Sequence, residues 1–391
     1  MKEDIILYGT GVTAEKFYWK WKETYNILYC IGEGQALFHE KRVYPPCEIK
    51  REHIKQRIIV AVNKETYPSV RKWLMSLGFI EFDDFLWNYE LGKDLVILYG
   101  NCHMHVLEKY LNSVPDFAHQ YVIRKKTVFE QEDFERIPTK EELLSCKVLI
   151  TQDINQENSQ SVPSADCLLH MVSPNCRTVK IPNLYGYNLF YPQLSKLAAR
   201  HGVTTSHTEA IGMDTAKIRW EFGLVFNYDE NIARLHRAPN AVNQIVDIMT
   251  SSDFYKHDVV IENFKNQIQR IQEREMECDI TISDFLLDNY KERQLFYDPQ
   301  HPTEVVIIEK GKRILRRLGI HVPVNVIVSP MLNDTELFIY DSVRSALGLS
   351  YRQEYIRVGQ EHASLQSGCL SREEYIREML AWNYEIASKL N

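Results

Sequence analysis

The sequence predicts an α/β protein with two parallel-sheet domains, at residues 1–92 and 93–330, and a helical C-terminal appendage at residues 331–391. Apolar runs of strand length alternate with stretches of helical spacing in both of the first two regions, and the tail reads as mostly helical. Strands that are joined by helical crossovers form parallel sheets. In addition, a chain of 391 residues is too long for one ordinary core.

The first 92 residues predict a Rossmann-like module. Strand and helix patterns alternate there at residues 4–8, 13–22, 26–31, 57–62 and 65–77. Gly9, Gly11 and Ala14 approximate a dinucleotide fingerprint, whose glycines let a pyrophosphate approach a helix N-terminus. The acid expected after the second strand is absent, because Ile31 and Gly32 stand there. Gly9 and Gly11 are therefore candidate ligand contacts, in a module that either holds a nucleotide-sugar or serves for structure and docking.

The second domain begins with a strand, a turn and a helix around Cys102. The apolar run at 95–99 leads into Gly100, Asn101 and Cys102, and residues 104–111 continue with helical spacing. Gly100 allows a sharp bend, and the free amides and macrodipole of a helix N-terminus favour a thiolate and can hold an oxyanion. Cys102 is thus a candidate nucleophile, with Gly100 and Asn101 as candidate ligand contacts. The alternative is a buried cysteine that only packs.

Asp298 and His301 supply a candidate base for that nucleophile. The carboxylate stands three residues before the histidine, in a proline-flanked loop ahead of a helix pattern. A carboxylate can orient a catalytic imidazole, so these residues predict a triad with Cys102. The alternative is an aspartate that caps the loop beside a surface histidine. His103 is a second candidate, as a closer base or a diphosphate contact, whereas His105 faces another way on the helix.

Further candidate ligand contacts end a strand or lie in a loop. Gln152 lies near the end of the predicted buried strand at 147–154, at the sheet edge where α/β proteins usually bind ligands. Tyr185 and Tyr187 lie among asparagines, Asn183 included, in a Gly/Tyr-rich loop at 183–191, which suits a sugar ring. The alternatives are ordinary turn formation for Gln152 and a packed loop for the tyrosines.

Several of these stretches, taken in order, resemble a known family. The stretches are Gly100-Asn101-Cys102, residues 148–152, residues 181–187, the segment from Arg274-Glu275 to 283–285, and residues 295–296 leading into His301-Pro302. Over about residues 94–330 the chain is similar to the WcbI-type polysaccharide-biosynthesis acetyltransferases. It also resembles the SGNH/GDSL hydrolase plan, with cysteine in place of serine. At position 103 this chain has histidine where the WcbI-type family usually has glutamine.

The resemblance implies an acetyltransferase that takes its acetyl group from acetyl-CoA and passes it to a sugar hydroxyl of a capsular or other surface polysaccharide. Arg274 is a candidate contact on the same basis. Coenzyme A carries phosphates, and two basic clusters could meet them, at residues 124–126 and at Lys310, Lys312, Arg313, Arg316 and Arg317. The alternatives are a carbohydrate esterase or deacetylase, which uses water as acceptor, and a non-catalytic protein that binds nucleotide-sugar or coenzyme A.

Composition and cysteine spacing limit the expected partners, compartment and metal content of the protein. A net charge of -7 argues against a nucleic-acid surface. No apolar run has the length of a membrane span, and the N-terminus leads into a strand, so a cytoplasmic protein is expected. The eight cysteines form no C-x-x-C pair, so neither a zinc site nor a disulfide framework is expected, and no metal is required. A homo-oligomer is compatible with the helical tail.

Overall fold

The structure is a computed structural model, and it describes residues 2–129, 136–154, 162–186, 188–192, 242–323 and 336–353, with the shorter stretches 194–195, 228–229, 231, 235, 326, 328–333, 356–358 and 368–377. These residues form an α/β fold with two parallel-dominated sheets, as predicted. The chain divides into two compact units. Unit 1 is Met1–Tyr99, Pro115–Thr151 and Asn155–Thr178, and unit 2 is Gly100–Val114, Gln152–Ile154 and Val179–Asn391.

The N-terminal sheet of unit 1 has six strands: β1 (Glu3–Tyr8), β2 (Tyr25–Ile31), β3 (Leu37–Phe38), β4 (Lys41–Tyr44), β5 (Arg57–Val60) and β6 (Phe85–Trp87). Their order is β3-β4-β2-β1-β5-β6, and every pair is parallel except β3 with β4. The chain winds outward from β1 in both directions, as in doubly wound sheets. The three predicted strands are confirmed. The short β3, β4 and β6 have too few residues to show a period.

Two helices, α1 (Val12–Trp21) and α2 (Tyr67–Ser76), connect strands of this sheet. Gly9 lies in the turn before α1 with φ +114°, and a Cβ atom on it would lie 2.6 Å from the Ala61 carbonyl oxygen. Position 9 therefore requires glycine for its conformation and for space. Gly11 is the N-cap of α1 and gives it no side-chain cap. The role of Gly9 and Gly11 as ligand contacts stays a prediction.

A second sheet has four strands: β7 (Asp94–Gly100), β8 (Tyr121–Thr127), β9 (Val148–Gln152) and β10 (Arg177–Ile181). Their order is β10-β9-β7-β8, and β7 and β9 run parallel. The helices between them are α3 (His103–Asn112), α4 (Pro115–Gln120), α5 (Lys140–Ser145) and α6 (Ala165–Met171). The chain passes into unit 2 at Gly100, Gln152 and Val179. The last residues of β7, β9 and β10 therefore belong to the same unit as Asp298 and His301.

The described residues of unit 2 lie mainly in helices. After the short strands β11 (Leu194–Ser195) and β12 (Tyr228–Asp229) come α7 (Val242–Thr250), α8 (His257–Glu275), α9 (Ser283–Asn289), α10 (Glu304–Arg317) and α11 (Asp341–Leu347), then the hairpin β13 (Ile356–Val358) and β14 (Gly368–Leu370). Phe264, Ile268 and Ile271, which helical spacing puts on one face of α8, are buried. Phe338 and Val343 join the same core. The predicted boundaries at residues 92 and 330 thus do not coincide with the division into compact units.

No helix in the part of the chain that the structure describes is both long enough and apolar enough to cross a membrane.

The packing of α10 on α3 depends on Gly311. A Cβ atom on Gly311 would overlap the Tyr110 ring and lie 3.3 Å from Leu107 Cδ1. We expect Gly311→Ala to lower the free energy of unfolding by about 1–3 kcal/mol, because overpacking outweighs the gain of about 1 kcal/mol in helix propensity. Urea unfolding with and without Tyr110→Val gives the coupling between the two positions. A Gly311→Ala protein as stable as the parent would contradict the prediction.

Candidate active site

Cys102 lies at the start of α3, just after β7 ends at Gly100. It is the N-cap residue of the helix and is partly exposed. Gly100 is so close to the end of β9 that a Cβ atom on it would overlap Gln152 Oε1 and lie 3.0 Å from Met104 Cγ. Position 100 therefore requires glycine for space, and the turn that presents Cys102 depends on this close approach.

Asp298 and His301 share a tight loop before α10. Tyr297 N donates to His301 O over 2.8 Å, which closes the loop. The Asp298 side chain is buried, and its Oδ1 accepts the amides of Gln300 at 2.6 Å and His301 at 2.9 Å. An aspartate that caps its own loop in this way has a fixed side-chain direction. Asp298 therefore caps the loop, as the alternative interpretation held, and also points its second oxygen at the His301 ring.

His301 connects Asp298 to Cys102. Its Nδ1 lies 2.6 Å from Asp298 Oδ2, and Cys102 is close enough to raise the pKa of its ring through charge and hydrogen bonding. Because Asp298 engages Nδ1, Nε2 is the ring nitrogen that faces the sulfur. Burial acts to lower the pKa of His301, but the charge and hydrogen bond of Asp298, with those of Cys102, outweigh it and hold this pKa well above its usual value. The three predicted residues thus lie together in one cluster, and their catalytic roles stay a prediction.

Three amides at the start of α3 already have partners. Asn101 N donates to Gln152 Oε1 over 2.7 Å, and His103 N donates to Asn101 Oδ1 over 3.0 Å. Met104 N donates to the Asn101 carbonyl over 3.0 Å. The expectation that first-turn amides hold an oxyanion is wrong for these three, because each is bonded within the protein.

Gln152, Asn101 and Asn183 form a network of side-chain amides. Asn101 Nδ2 donates to Asn183 Oδ1 over 3.2 Å, and Gln152 Nε2 lies 3.5 Å from the same oxygen. Asn183 Nδ2 donates to the Tyr185 hydroxyl over 3.0 Å. Gln152 is fully buried, and both atoms of its amide are engaged. The network therefore places Gln152 behind the Cys102 turn, as a support, and Asn183 and Tyr185 next to it.

His103 is 1% exposed, and both its ring nitrogens have partners. Nδ1 lies 3.1 Å from Gln152 Nε2, and Nε2 lies 2.8 Å from the Gln300 carbonyl oxygen. Burial, together with the positive charge of Lys310, holds the pKa of His103 well below its usual value. The ring is therefore neutral at physiological pH. Its burial and its two bonded nitrogens do not favour a role as a base, and the missing charge does not favour contact with a diphosphate.

Two other predicted ligand contacts are Tyr187 and Arg274. Tyr187 lies outside the described residues. Arg274 is exposed in the last turn of α8, and its neighbour Glu275 is buried. Glu275 accepts the amides of Ile282 at 2.6 Å and Ser283 at 2.9 Å, so it caps the start of α9. In the stretch Arg274-Glu275, the residue that stabilises the fold is therefore Glu275, and contact of Arg274 with a ligand stays a prediction.

The two predicted basic clusters are largely paired within the protein. Arg124 contacts Glu81 and Glu90 at 2.8 Å, and Lys126 contacts Glu142 at 2.8 Å. In the second cluster the pairs are Arg313 with Asp284, Arg316 with Glu309 and Arg317 with Asp279. Neither cluster is therefore an uncompensated positive patch of the kind that the phosphates of a ligand would need.

Lys310 is a site neighbour that sequence reasoning did not place correctly. Lys310 is 1% exposed, and its Nζ donates to the Pro182 carbonyl over 2.9 Å. Burial lowers the pKa of Lys310 to about 7, against the charges of Cys278 and Glu275. Lys310 stands three residues after Ile307 and four before Ile314, which puts it on the apolar face of α10, so this spacing indicates that the side chain is buried.

Among the described residues, no group of three or more histidine, cysteine, aspartate and glutamate side chains could hold a metal ion.

Comparisons with known proteins show the family of this chain. The family model described as "Polysaccharide biosynthesis enzyme WcbI" matches residues 95–323, which is more than half of the chain. A solved structure of WcbI, described as a novel polysaccharide biosynthesis enzyme in its native form without a disulfide bond between coenzyme A and a cysteine, aligns with a TM-score of 0.56 at 17% identity. The alignment covers 76% of this chain and 94% of that one. No curated protein matches the chain. The chain belongs to the WcbI family of polysaccharide biosynthesis enzymes.

Proposed function

We propose that the protein is an O-acetyltransferase that uses acetyl-CoA and modifies a sugar hydroxyl during the synthesis of a capsular or other surface polysaccharide. The observation that carries the proposal is the cluster of Asp298, His301 and the partly exposed Cys102, in which Asp298 lies 2.6 Å from the His301 ring and Cys102 acts on the pKa of that ring. Membership of a polysaccharide biosynthesis family supports the sugar acceptor. The description of a similar structure, which mentions coenzyme A and a cysteine, supports the donor.

The charge state of the pair suits attack on a thioester. His301 carries a proton at neutral pH, because Asp298 and Cys102 stabilise the imidazolium form. Cys102 attacks the acetyl carbonyl as a thiolate, so that a bond from its sulfur to the acetyl carbon forms and the bond to the sulfur of coenzyme A breaks. His301 gives its proton to the departing thiolate. This exchange replaces one thioester with another and therefore has little thermodynamic cost.

The same two residues complete the transfer. His301, now neutral, takes the proton of the sugar hydroxyl while that oxygen attacks the acetyl group on Cys102. The Cys102 thiolate then leaves, and the original charge state is restored. Asp298 keeps the ring oriented in both steps through its 2.6 Å contact with Nδ1. The alternative within the same proposal is direct transfer, in which His301 activates the sugar and Cys102 only shapes the site.

Intact-protein mass spectrometry after mixing with acetyl-CoA tests the proposal. We expect an acetyl adduct on the wild-type protein and none on Cys102→Ala, whereas the matched control Cys167→Ala removes another exposed thiol and keeps the adduct. An adduct that persists in Cys102→Ala would exclude Cys102 as the carrier. Binding of acetyl-CoA without an adduct would favour direct transfer, and the absence of both would overturn the acetyltransferase proposal.

A further inference from the structure

We propose that His103 is a positioning residue, which holds the His301 ring against Cys102 by fixing the Gln300 carbonyl and takes no part in proton transfer. The inference rests on the Cys102–His301 pair of the proposed function. Its basis is the pair of hydrogen bonds at the buried His103 ring, one to the end of β9 and one to the loop that carries His301.

The hydrogen-bond directions around His103 have a single consistent assignment. Because Asn101 N–H donates to Gln152 Oε1, the other atom of that amide, Nε2, faces His103 Nδ1 as a donor. Nδ1 is therefore the acceptor. The Gln300 carbonyl can only accept, so His103 Nε2 carries the hydrogen. The neutral ring has no lone pair or proton left over for chemistry.

Protonation of His103 would disrupt this assignment. A second ring hydrogen on Nδ1 would point at the Gln152 side-chain N–H group, and two donors would then face each other. The nearby charges of Lys310 and His301 act in the same direction, since both disfavour a further positive charge on the ring. Geometry and charge therefore agree on a neutral, fully bonded imidazole.

The hydrogen bond from His103 to the Gln300 carbonyl helps to fix the loop that carries His301. Three successive carbonyls of that loop are held: Pro299 O by Gly186 N at 2.6 Å, Gln300 O by the His103 ring at 2.8 Å, and His301 O by Tyr297 N at 2.8 Å. Of these partners, His103 is the one next to Cys102 in the chain. Its bond therefore ties the peptide before His301 to the turn that carries the sulfur. Loss of this bond would free the loop to move relative to Cys102.

The substitutions His103→Gln and His103→Asn distinguish a positioning role of His103 from acid–base catalysis. Glutamine cannot titrate, yet its amide N–H reaches about as far as Nε2 and can donate to Gln300 O, whereas the shorter asparagine reaches only the region of Nδ1 and Gln152. The readout is the rate of alkylation of Cys102 by iodoacetamide against pH, measured on the Cys102 peptide by mass spectrometry. This reaction needs no acyl donor, so a failed acetyltransferase proposal would leave the test intact.

We expect His103→Gln to react within about threefold of wild type with an unchanged pH midpoint, because the loop stays in place. His103→Asn should react at least about tenfold more slowly at pH 7, with a higher midpoint, and approach the His301→Gln variant. The control His105→Gln, two residues along the same helix, should match wild type. A His103→Gln protein as slow as His103→Asn would overturn the proposal, as would a wild-type profile in His103→Asn or in His301→Gln.

Discussion

His301→Gln is expected to slow transfer of the acetyl group from acetyl-CoA to Cys102 by about 10²–10⁴-fold, which is the usual contribution of a positioned general acid or base. The physical reason is the loss of the imidazolium that Asp298 stabilises and that faces the sulfur. Without it the leaving thiolate has no proton donor at hand. Rapid-quench mass spectrometry of the adduct at pH 7 measures the rate.

The same substitution at a second histidine is the control. His103→Gln changes a histidine to glutamine one residue after Cys102, but it can keep the bond to Gln300 and should retain most of the rate. The contrast separates loss of a proton donor from general disturbance of the turn. Equal losses in the two variants, or an unchanged rate in His301→Gln, would contradict the role assigned to His301.

Lys310→Met is expected to stabilise the protein near pH 7 and to lose this advantage near pH 10. The pKa of Lys310 falls from 10.5 to about 7 in the folded protein because its side chain is buried. Between these values the unfolded chain binds a proton that the folded protein does not, so stability falls as pH decreases from 10.5 to 7 and is level below 7. At about 1.4 kcal/mol per pH unit, the full penalty is on the order of 5 kcal/mol.

The hydrogen bond of Lys310 reduces the net gain. Methionine leaves the Pro182 carbonyl without its 2.9 Å donor, which costs about 1–3 kcal/mol. We therefore expect a gain of about 2–4 kcal/mol in the free energy of unfolding at pH 7, and a neutral or unfavourable effect at pH 10. Urea unfolding of both proteins at several pH values measures the difference. Lys312→Met removes a positive charge from the same helix and serves as the control. A pH-independent difference for Lys310→Met would contradict the burial argument.

Local patterns in the sequence predicted most of the fold. Apolar runs marked β1, β2, β5, β7 and β9, because short runs of consecutive apolar residues give a strand signal. The division into units did not follow, because it depends on contacts between residues far apart in the chain. Residues after 330 contribute Phe338 and Val343 to the same core as α8, which no local pattern could indicate.

For the candidate site, the sequence by itself determined that a cysteine stands on a strand-to-helix turn and that an aspartate precedes a histidine by three residues. Those facts depend only on residue identity and spacing. The tertiary structure alone decided that His301 faces Cys102, that His103 is a neutral ring between Gln152 and Gln300, and that Lys310 is buried. The physical reason is that hydrogen-bond partners and burial arise from segments nearly 200 positions apart, such as 103 and 300, and these meet only when the chain has folded.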